Sequence, residues 1–517
     1  MQLKLSPLVG ANVTPVERQV RLLLFAVWLV LVGWFLAGHV FWRDEVRAFS
    51  LALSGSNILD MLGNVHGEGH PALWYLILRG AHELFPYREV LPIAGAVLGI
   101  AAMAVFTFCS PFRIPIVALV LFSLYGAFDY VAVARNYGIA ALVMFGLAAL
   151  YDRVRNSLWL GFMLAVLCNT NVPGCFLAAA FLLFRFVEML ADGSAPTKRE
   201  WLIFAGNALL AALGAGLCFI TVYPTFNDAA VSSNAHDLGF GSAAAALLDS
   251  ERGFSHLGYG PLLLLFSCLG LVRRPAAIIA AIAGLLALKL FFYFIYPSSY
   301  RHEALFVVFL VSLYWITARG AGGNWRRKWP LDWVEVFGTL AAVVLLAMQS
   351  VLLIAPIKLQ AAGVPYSHSA DLAKLLRKPE LAGAIVMGDP DTILESLPYY
   401  VDNPLWFLRQ QRFGKVVRLS EDARRQLSLD DIVADAERLH RNNGRPVVFL
   451  SYLRIQRGKD VRARVMYDDE TFGGRDAVDR FLSSMELIAR LRPSWGNGEE
   501  YDVYVLRAEP SGSKSAP

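Results

Sequence analysis

Apolar runs long enough to enter a membrane fill roughly the first two thirds of this sequence, and they constrain its fold more than any other feature. Hydrophobic residues make up 56% of the 517 residues, and the excess stops near Pro356. A helix needs about 20 consecutive apolar residues to cross a bilayer core. We therefore predict a polytopic α-helical membrane module over residues 1–356, with about eleven spans. The apolar runs cover residues 19–41, 90–109, 114–133, 137–151, 157–169, 172–190, 201–222, 259–271, 276–296, 303–318 and 333–355.

The remaining residues, 357–517, are polar and read as a separate soluble domain. Short β-type runs alternate with helical patterns there, which predicts a small α/β domain. None of the five cysteines lies in this part, so no disulfide framework is expected. No Gly-x-Gly-x-x-Gly follows a strand, so a dinucleotide site is not supported. Strands are predicted at 384–387, 415–419, 446–452 and 501–506, and helices at 371–377, 421–441 and 475–491.

The charge distribution predicts the orientation and excludes one class of partner. The net charge of +5 is mild and comes without a dense basic tail, so nucleic acid is not expected as a partner. Lys and Arg gather on alternate short connections, which places the N-terminus in the cytoplasm. Residues 70–85 are then a helix in the outer leaflet, because counting them as a span would invert every later loop. The chain is expected in a bacterial inner membrane, with its C-terminal domain in the periplasm.

A pair of carboxylates, Asp44 and Glu45, follows the first span directly. Charged side chains beside hydrocarbon are costly, so they usually have either a partner or a function. The plain interpretation is a helix-end carboxylate paired with Arg43 or Arg47. The alternative is a site at the membrane surface in which a carboxylate deprotonates a hydroxyl.

Three further polar residues, His66, Glu68 and His70, lie in the same predicted outer loop. Together with the acidic pair they could activate an acceptor or hold a divalent metal. The spacing His-x-Glu-x-His is not one of the well-defined zinc spacings, so the metal remains a weak prediction. The long predicted outer loop 223–258 contains His236, which could bind an acceptor.

Two later segments place basic residues at the predicted outer ends of spans. Asp129 and Arg135 follow an apolar run, either as an ordinary ion pair or as a second acid beside a phosphate-binding Arg. Arg301 and His302 open a helix after Pro297, where a helix N-terminus favours an anion. Lys289 lies about two turns deeper, and an intramembrane Lys indicates function unless it reaches the interface by snorkelling.

The order of these segments resembles that of the bacterial GT-C membrane glycosyltransferases, relatives of the protein O-mannosyltransferases and of the lipid A aminoarabinose transferase. That family typically shows Asp-Glu-Ala, then His-Pro-Pro-Leu, then Ala-Arg-x-Tyr-Ala. The resemblance is clearest over residues 19–150 and looser at 300–314. This sequence departs from those three motifs at Val46, Ala72 and Gly138, and these departures leave the identity of the sugar open. The corresponding segments here are Asp44-Glu45-Val46, His70-Pro71-Ala72-Leu73 and Ala134-Arg135-Asn136-Tyr137-Gly138.

The resemblance implies transfer of a sugar from a polyprenyl-phosphate-linked donor to a lipid, glycan or protein acceptor, with inversion, on the outer face of the membrane. It implies that Asp44, with Glu45 beside it, acts as the base or as the group that orients the acceptor, and that Asp129 is a second acid. Membrane lipids would surround the carrier chain. Basic and aromatic residues would hold the carrier phosphate, and loop residues would bind substrate. The first set is Arg135, Tyr137, Lys289, Arg301 and His302, and the second is His66, Glu68, His70 and His236.

Two other classes of protein fit the same hydropathy. A polytopic transporter would have many spans, but transporters tend to show internal repeats and polar residues at midplane, whereas these gather at span ends. A non-catalytic cell-envelope scaffold predicts that Asp44→Asn and Asp129→Asn leave activity in cells unchanged. The transferase interpretation requires Asp44, Asp129 and Arg301 to share one water-facing cavity.

Overall fold

The computed structural model describes residues 14–191, 195–224, 228, 254, 256, 260–320, 331–496 and 498–507. The chain divides into two compact units. The bundle unit takes its described residues from 1–37, 55–224 and 234–357, and the α/β unit takes its own from 38–54, 225–233 and 358–517. The protein is thus a polytopic helical membrane protein with a C-terminal α/β domain. Residues 38–54, which carry the acidic pair, belong to the α/β unit, and nothing in the hydropathy pattern indicated this.

Helices account for nearly all regular structure in the described part of the bundle unit. Most of the long helices begin and end close to the ends of the apolar runs, and α5 has the predicted bounds. The helices are α1 (Pro15–Gly38), α2 (Arg43–Ala52, in the α/β unit), α3 (Ile58–Val65), α4 (Leu73–Leu84), α5 (Val90–Cys109), α6 (Ile114–Leu121), α7 (Tyr137–Val154), α8 (Trp159–Cys168), α9 (Val172–Ala191), α10 (Lys198–Val222), α11 (Gly260–Leu269), α12 (Pro275–Phe294), α13 (Tyr300–Ala318), α14 (Leu331–Leu352) and α15 (Ile354–Ala361).

Eight helices of the described residues are long and apolar enough to cross a membrane: α1, α5, α7, α9, α10, α12, α13 and the stretch Leu331–Ala361. The other three predicted spans form shorter helices, of 8 residues in α6 and 10 residues in both α8 and α11. The central helix is α13, which is buried at every residue from Glu303 to Thr317. By contrast, α1 and α10 expose apolar side chains such as Leu23 and Leu202, as expected for lipid-facing helices.

The predicted span 114–133 is interrupted by Ser123. Its hydroxyl donates to the Val120 carbonyl at 2.7 Å and accepts from the Gly126 N–H at 2.9 Å. A serine that bonds to nearby backbone in this way competes with the helical ladder. The chain therefore continues as one π-helical turn, Tyr125–Asp129, and then as irregular buried backbone up to α7. Turns of this kind occur often at functional sites.

Glycines let α5 approach this irregular segment closely. A Cβ on Gly99 would lie 2.2 Å from the Tyr130 carbonyl oxygen, and one on Gly95 would lie 2.9 Å from Ala134 Cα. A Cβ on Gly138, in the first turn of α7, would lie 2.7 Å from the same Tyr130 oxygen. The segment between Asp129 and Tyr137 is therefore held by backbone packing that admits no side chain at these positions.

The helix predicted for residues 70–85 is α4, which is short and two-faced. Trp74, Tyr75 and Leu78 are buried in the bundle, whereas Leu84 and the following Phe85 are 76% and 63% exposed. An apolar inner face with exposed apolar residues at one end is typical of an interfacial element.

The α/β unit is built around a six-stranded sheet with helices on both faces. The strands are β1 (Ile385–Asp389), β2 (Leu405–Phe407), β3 (Arg412–Phe413), β5 (Val447–Ser451), β8 (Met485–Leu491) and β9 (Tyr501–Leu506), in the spatial order β3-β2-β1-β5-β9-β8. β1 pairs parallel to β2 and β5, and the outer pairs are antiparallel. A second sheet has the order β4-β7-β6, formed by β4 (Gln426–Ser428), β6 (Val461–Met466) and β7 (Asp469–Gly473).

Alternate residues of β1 enter two separate cores. Ile385 and Met387 pack with α17 (Leu429–Asn443) and α18 (Arg475–Ser484). Val386 packs with α16 (Ser369–Leu376) on the other face. A strand buried on both faces reads as a continuous apolar run, which is why β1, β5 and β9 were predicted close to their observed bounds.

Three predictions in this domain are wrong. Residues 415–419 form no strand, because the backbone of Val417 is bonded by side chains, its N–H to Glu395 at 2.7 Å and its carbonyl to Arg47 at 2.8 Å. The helix predicted from 421 begins at Leu429, where Ser428 and Asp431 form a capping box. Residues 485–491 are strand β8 rather than the end of a helix.

Candidate functional site

The N-terminal ends of α7 and α13 meet at a group of polar side chains that we call the bundle site. It consists of His70, Asp129, Tyr130, Arg135, Tyr137, Arg301 and His302. Asp129 ends the π-helical turn and accepts a hydrogen bond from Arg301 Nε at 2.8 Å. Both side chains are largely buried, with 9% and 12% exposed for Asp129 and Arg301. The ion pair joins two helical segments that are far apart in the sequence.

Tyr137 and His302 connect the two helix ends directly. The backbone N–H of Ser299 donates to His302 Nδ1 at 3.1 Å, so the proton of the neutral ring lies on Nε2. That Nε2–H faces the Tyr137 hydroxyl at 2.9 Å. Tyr130 stacks on Tyr137 with ring centroids 5.6 Å apart and donates its hydroxyl to the Arg301 carbonyl at 2.7 Å. The aromatic pair thus fixes both helix ends.

Arg135 contacts the His-Pro segment through His70. Its Nη2 donates to His70 Nε2 at 2.8 Å. A guanidinium can only donate, so His70 accepts through Nε2 and is a neutral imidazole. His70 Nδ1 then faces the Glu68 carbonyl at 3.4 Å. The His-Pro segment therefore orients an arginine, and the spacing in the sequence did not indicate this contact.

The other predicted residues of the bundle unit have different surroundings. His66 donates through Nδ1 to the Ile220 carbonyl at 2.9 Å, at the last turn of α10. Lys289 is 3% exposed on α12, one turn before Phe292, whose ring centroid lies 6.3 Å from that of His302. His236 lies outside the described residues.

No three His, Cys, Asp or Glu side chains of the described residues are grouped as metal ligands. In particular, His66 and His70 of the predicted trio His66, Glu68 and His70 are bonded to different parts of the bundle. His70 Nε2 faces Arg135, and His66 Nδ1 faces the backbone of α10. These three residues do not form the ligand set that was predicted as one alternative.

The electrostatics of the bundle site favour an anion. Helix N-termini carry positive partial charge, and two of them meet here. Within the bundle site Arg135 and Arg301 carry two positive charges and Asp129 one negative charge. The buried Glu303, next along α13, is bonded to Ser298 and His256. Both histidines of the bundle site are neutral in this hydrogen-bonding pattern. The arrangement can therefore hold a phosphate oxygen with charge-assisted hydrogen bonds.

The acidic pair lies at the start of α2 in the α/β unit, and its two members differ. Glu45 is fully buried, accepts the Trp42 N–H at 3.2 Å and contacts His39 Nε2 at 2.9 Å. It is the capping-box residue of α2. Asp44 is 34% exposed and lies 3.5 Å from Arg43 Nε. This placement favours a structural role for Glu45 over the catalytic role predicted from sequence.

Two acidic residues that sequence reasoning missed hold the flanks of this pair. Glu499 bonds the backbone N–H of Arg43, and Glu395 pairs with the side chain of Arg47. The sequence analysis expected Arg43 and Arg47 to pair with Asp44 or Glu45. Two arginines beside two acids were the signal in the sequence that further ion pairs could form here.

A buried acid at the C-terminal end of β1 makes the α/β unit sensitive to pH. Asp391 is 3% exposed, and its carboxylate accepts the backbone N–H groups of Arg409 and Gln410. Burial raises the pKa of Asp391 to about 8, although the hydrogen bond from the Arg409 backbone opposes this shift. The neighbouring Asp389, which is paired with Arg409 at 2.8 Å, raises it further.

We expect the α/β unit to lose stability as the pH rises from about 4 to about 8. Asp titrates near 3.9 in an unfolded chain, so the folded state keeps an extra proton across this window and stability falls with pH. Asp391→Asn retains an acceptor oxygen and should flatten this dependence. The measurement is the thermal unfolding midpoint of the full chain at pH 5 and pH 8.5. Asp479→Asn, on an exposed helix face, is the control, and equal slopes in all three proteins would contradict the assignment.

Comparisons with known proteins give two distant structural likenesses. No protein-family model and no curated protein matches this chain. Similar solved structures include ArnT from Cupriavidus metallidurans bound to undecaprenyl phosphate, with a TM-score of 0.48 and 14% identity, covering 95% of this chain and 99% of that one. The apo state of the same protein gives a TM-score of 0.46 and 14% identity, covering 94% and 97%. Likenesses this distant assign neither a family nor a function to this chain.

Proposed function

We propose that the protein is an integral-membrane glycosyltransferase that moves a sugar from a polyprenyl-phosphate-linked donor to a lipid, glycan or protein acceptor. One observation carries the proposal. The Tyr137–His302 contact joins the N-termini of two membrane helices and brings two arginines, Arg135 and Arg301, to the same end of the bundle. A phosphate joined to an apolar chain is the ligand that a positively charged group at the end of apolar helices suits best.

The chemistry of the donor requires positive charge more than a strong acid. In the proposed step the bond between the sugar's anomeric carbon and the carrier phosphate oxygen breaks, and the acceptor oxygen forms the new bond from the opposite face. The electron pair of the broken bond stays on the phosphate, where Arg135 and Arg301 would stabilise the added charge. The acceptor proton passes to a carboxylate.

Asp44 is the carboxylate that we assign to this proton. It is the partly exposed member of the acidic pair, whereas Glu45 is committed to the cap of α2. Asp129 is bonded to Arg301 at 2.8 Å, so we assign it the role of orienting that guanidinium. Lys289 and Tyr137 would contribute to carrier binding from α12 and α7.

The sequence motifs give independent support. Asp44-Glu45, His70-Pro71 and Ala134-Arg135-Asn136-Tyr137 occur in the order shown by the GT-C glycosyltransferases. Two of these motifs meet in the bundle site, where His70 accepts a hydrogen bond from Arg135. The shared cavity of Asp44, Asp129 and Arg301 stays a prediction, as does the periplasmic side of the reaction.

We expect the full chain in lipid nanodiscs to bind undecaprenyl phosphate and to transfer sugar from its glycosylated form. Arg135→Gln should weaken binding of undecaprenyl phosphate about 10- to 100-fold, because a hydrogen bond to a charged group contributes about 1.5–3 kcal/mol. The matched control is Arg88→Gln, whose arginine is half exposed in the same unit. Native mass spectrometry would give both affinities.

The comparison ligand for this experiment is undecaprenol, which lacks the phosphate. The proposal expects weaker binding of undecaprenol than of undecaprenyl phosphate, and expects Arg135→Gln to narrow that difference. Equal affinity of the wild type for the two lipids would refute a phosphate site. Absence of transfer from every undecaprenyl-phosphate sugar tested, with defined lipid, glycan and peptide acceptors, would refute the transferase.

A further inference from the structure

The helix that carries Asp44 is held by residues of the α/β unit at its N-terminal entry. The backbone N–H of Phe41 donates to the Tyr400 hydroxyl at 2.8 Å. The Ser369 hydroxyl donates to the Phe41 carbonyl at 2.7 Å. Both backbone groups of the residue that leads into α2 are therefore fixed by side chains more than 300 positions away in the sequence.

Arg43, directly before Asp44, is held by a second contact. Its backbone N–H donates to Glu499 Oε1 at 2.7 Å, and its Nη1 donates to Thr392 Oγ1 at 3.2 Å. Glu499 is 1% exposed, and its second oxygen accepts the Ser367 hydroxyl. A buried carboxylate that bonds a helix-terminal N–H fixes the first turn of that helix.

Arg47, one turn after Arg43, is held by a third contact. Its Nη1 forms an ion pair with Glu395 Oε1 and also donates to the Val417 carbonyl at 2.8 Å. Glu395 has a side chain only 2% exposed and accepts the Val417 N–H at 2.7 Å. The Arg47 guanidinium is thus bonded to a carboxylate that is itself anchored to the backbone.

These three contacts fix the position of α2 and therefore the orientation of Asp44, because α2 is too short to hold its own conformation. A helix of 10 residues is too short to be stable by itself in water. Val46 and Ala48 of this helix are both buried. Asp44 projects from the same turn as Arg43 and Glu45, both of which are bonded. The carboxylate therefore has little freedom to reorient except by rotation of its own side chain.

We propose that Glu395 and Glu499 are positioning residues of the transferase: through Arg47 and the backbone of Arg43 they hold α2 so that Asp44 meets the acceptor hydroxyl in a reactive geometry. This inference rests on the proposed function of Asp44. It gives the C-terminal domain a part in the reaction without contact with the substrate. A displacement of about 1 Å at a reacting group is able to lower the rate about 100-fold.

The test uses Glu395→Gln in the full chain, because glutamine keeps an acceptor for the Val417 N–H and loses only the charge. We expect kcat for transfer to fall tenfold or more, with KM for the glycosylated undecaprenyl phosphate within twofold of wild type. Hydrogen exchange of residues 43–52 should become faster in the same variant. Asp430→Asn, in an exposed ion pair with Arg480, is the matched control for removal of an acid from this unit.

A double variant separates positioning from general damage. Arg47→Gln with Glu395→Gln removes both charges and avoids leaving one of them buried and unpaired. We expect the double variant to recover most of the hydrogen-exchange protection of α2. Its kcat should be at least threefold higher than that of Glu395→Gln alone. It also keeps the experiment decisive when Glu395→Gln alone does not fold.

Each outcome bears on one proposal. Wild-type turnover with an unchanged kcat in both variants overturns the positioning role and leaves the transferase standing. A lower thermal midpoint with unchanged kcat and unchanged exchange of residues 43–52 also overturns it, since the pair would then be merely structural. Absence of wild-type turnover overturns the proposed function, and the exchange measurement still reports on α2.

Discussion

Asp44→Asn is expected to lower kcat for sugar transfer about 10²- to 10⁴-fold, the range for loss of a general base. Asparagine has the same shape and keeps one acceptor oxygen, but it cannot take the acceptor's proton. The Asp44 side chain is 34% exposed and lies 3.5 Å from Arg43 Nε, and because Asn is isosteric with Asp we expect the variant to fold. Steady-state transfer with the full chain in nanodiscs gives the rate.

The control for Asp44→Asn is Glu83→Gln, which removes an exposed carboxylate from α4 of the bundle unit. Its kcat should match that of wild type. Affinity for undecaprenyl phosphate should stay within about twofold in both variants, because the phosphate is assigned to Arg135 and Arg301. A rate for Asp44→Asn equal to that of the control would remove Asp44 from the mechanism, whatever its position.

Gly99→Ala is expected to destabilise the bundle strongly, because the added methyl group has no space beside the irregular segment. The new Cβ would lie 2.2 Å from the Tyr130 oxygen and 2.8 Å from Val131 Cα, and both are backbone atoms that cannot rotate away. Overpacking of this kind typically costs about 1–3 kcal/mol and sometimes more. Thermal unfolding and the yield of monodisperse protein would measure the loss.

Gly33→Ala is the matched control, because a Cβ on Gly33 in α1 meets nothing within 4 Å. The substitution Gly33→Ala should be neutral or stabilising, since Ala stabilises a helix by about 1 kcal/mol relative to Gly. Comparable unfolding midpoints for Gly99→Ala and Gly33→Ala would show that α5 does not hold the segment between Asp129 and Tyr137.

The same packing accounts for the glycine at position 138, where the motif that this sequence resembles has another residue. The GT-C motif ends in Ala where this chain has Gly138. A Cβ on Gly138 would lie 2.7 Å from the Tyr130 oxygen and 3.3 Å from Gly99 Cα. The close approach of three backbone segments therefore leaves no room for a side chain at position 138.

Local patterns predicted the elements whose own residues are sufficient to form them. α5 has its predicted bounds, and β1 and β5 were found as short buried runs. Prediction from local patterns failed where the intrinsic preference of a segment differs from the structure that its tertiary partner imposes. Residues 485–491 contain helix-forming Glu, Leu, Ala and Arg, yet they form β8 because β9 offers a free edge for pairing. Apolar residues at 485, 487, 489 and 491 flank the charged Glu486 and Arg490, and this alternation has the period of a strand. It was the signal in the sequence for β8.

The sequence alone determined that the chain is a membrane-spanning bundle with a polar C-terminal domain, and it identified the residue types of the candidate site. Hydrophobic burial depends on composition and periodicity, which can be read along the chain. Only the tertiary structure decided the pairs: Asp129 with Arg301, Arg135 with His70, and Arg47 with Glu395. Hydrogen bonds and ion pairs require atoms to meet within about 3 Å, and that meeting depends on how helices distant in the sequence pack together.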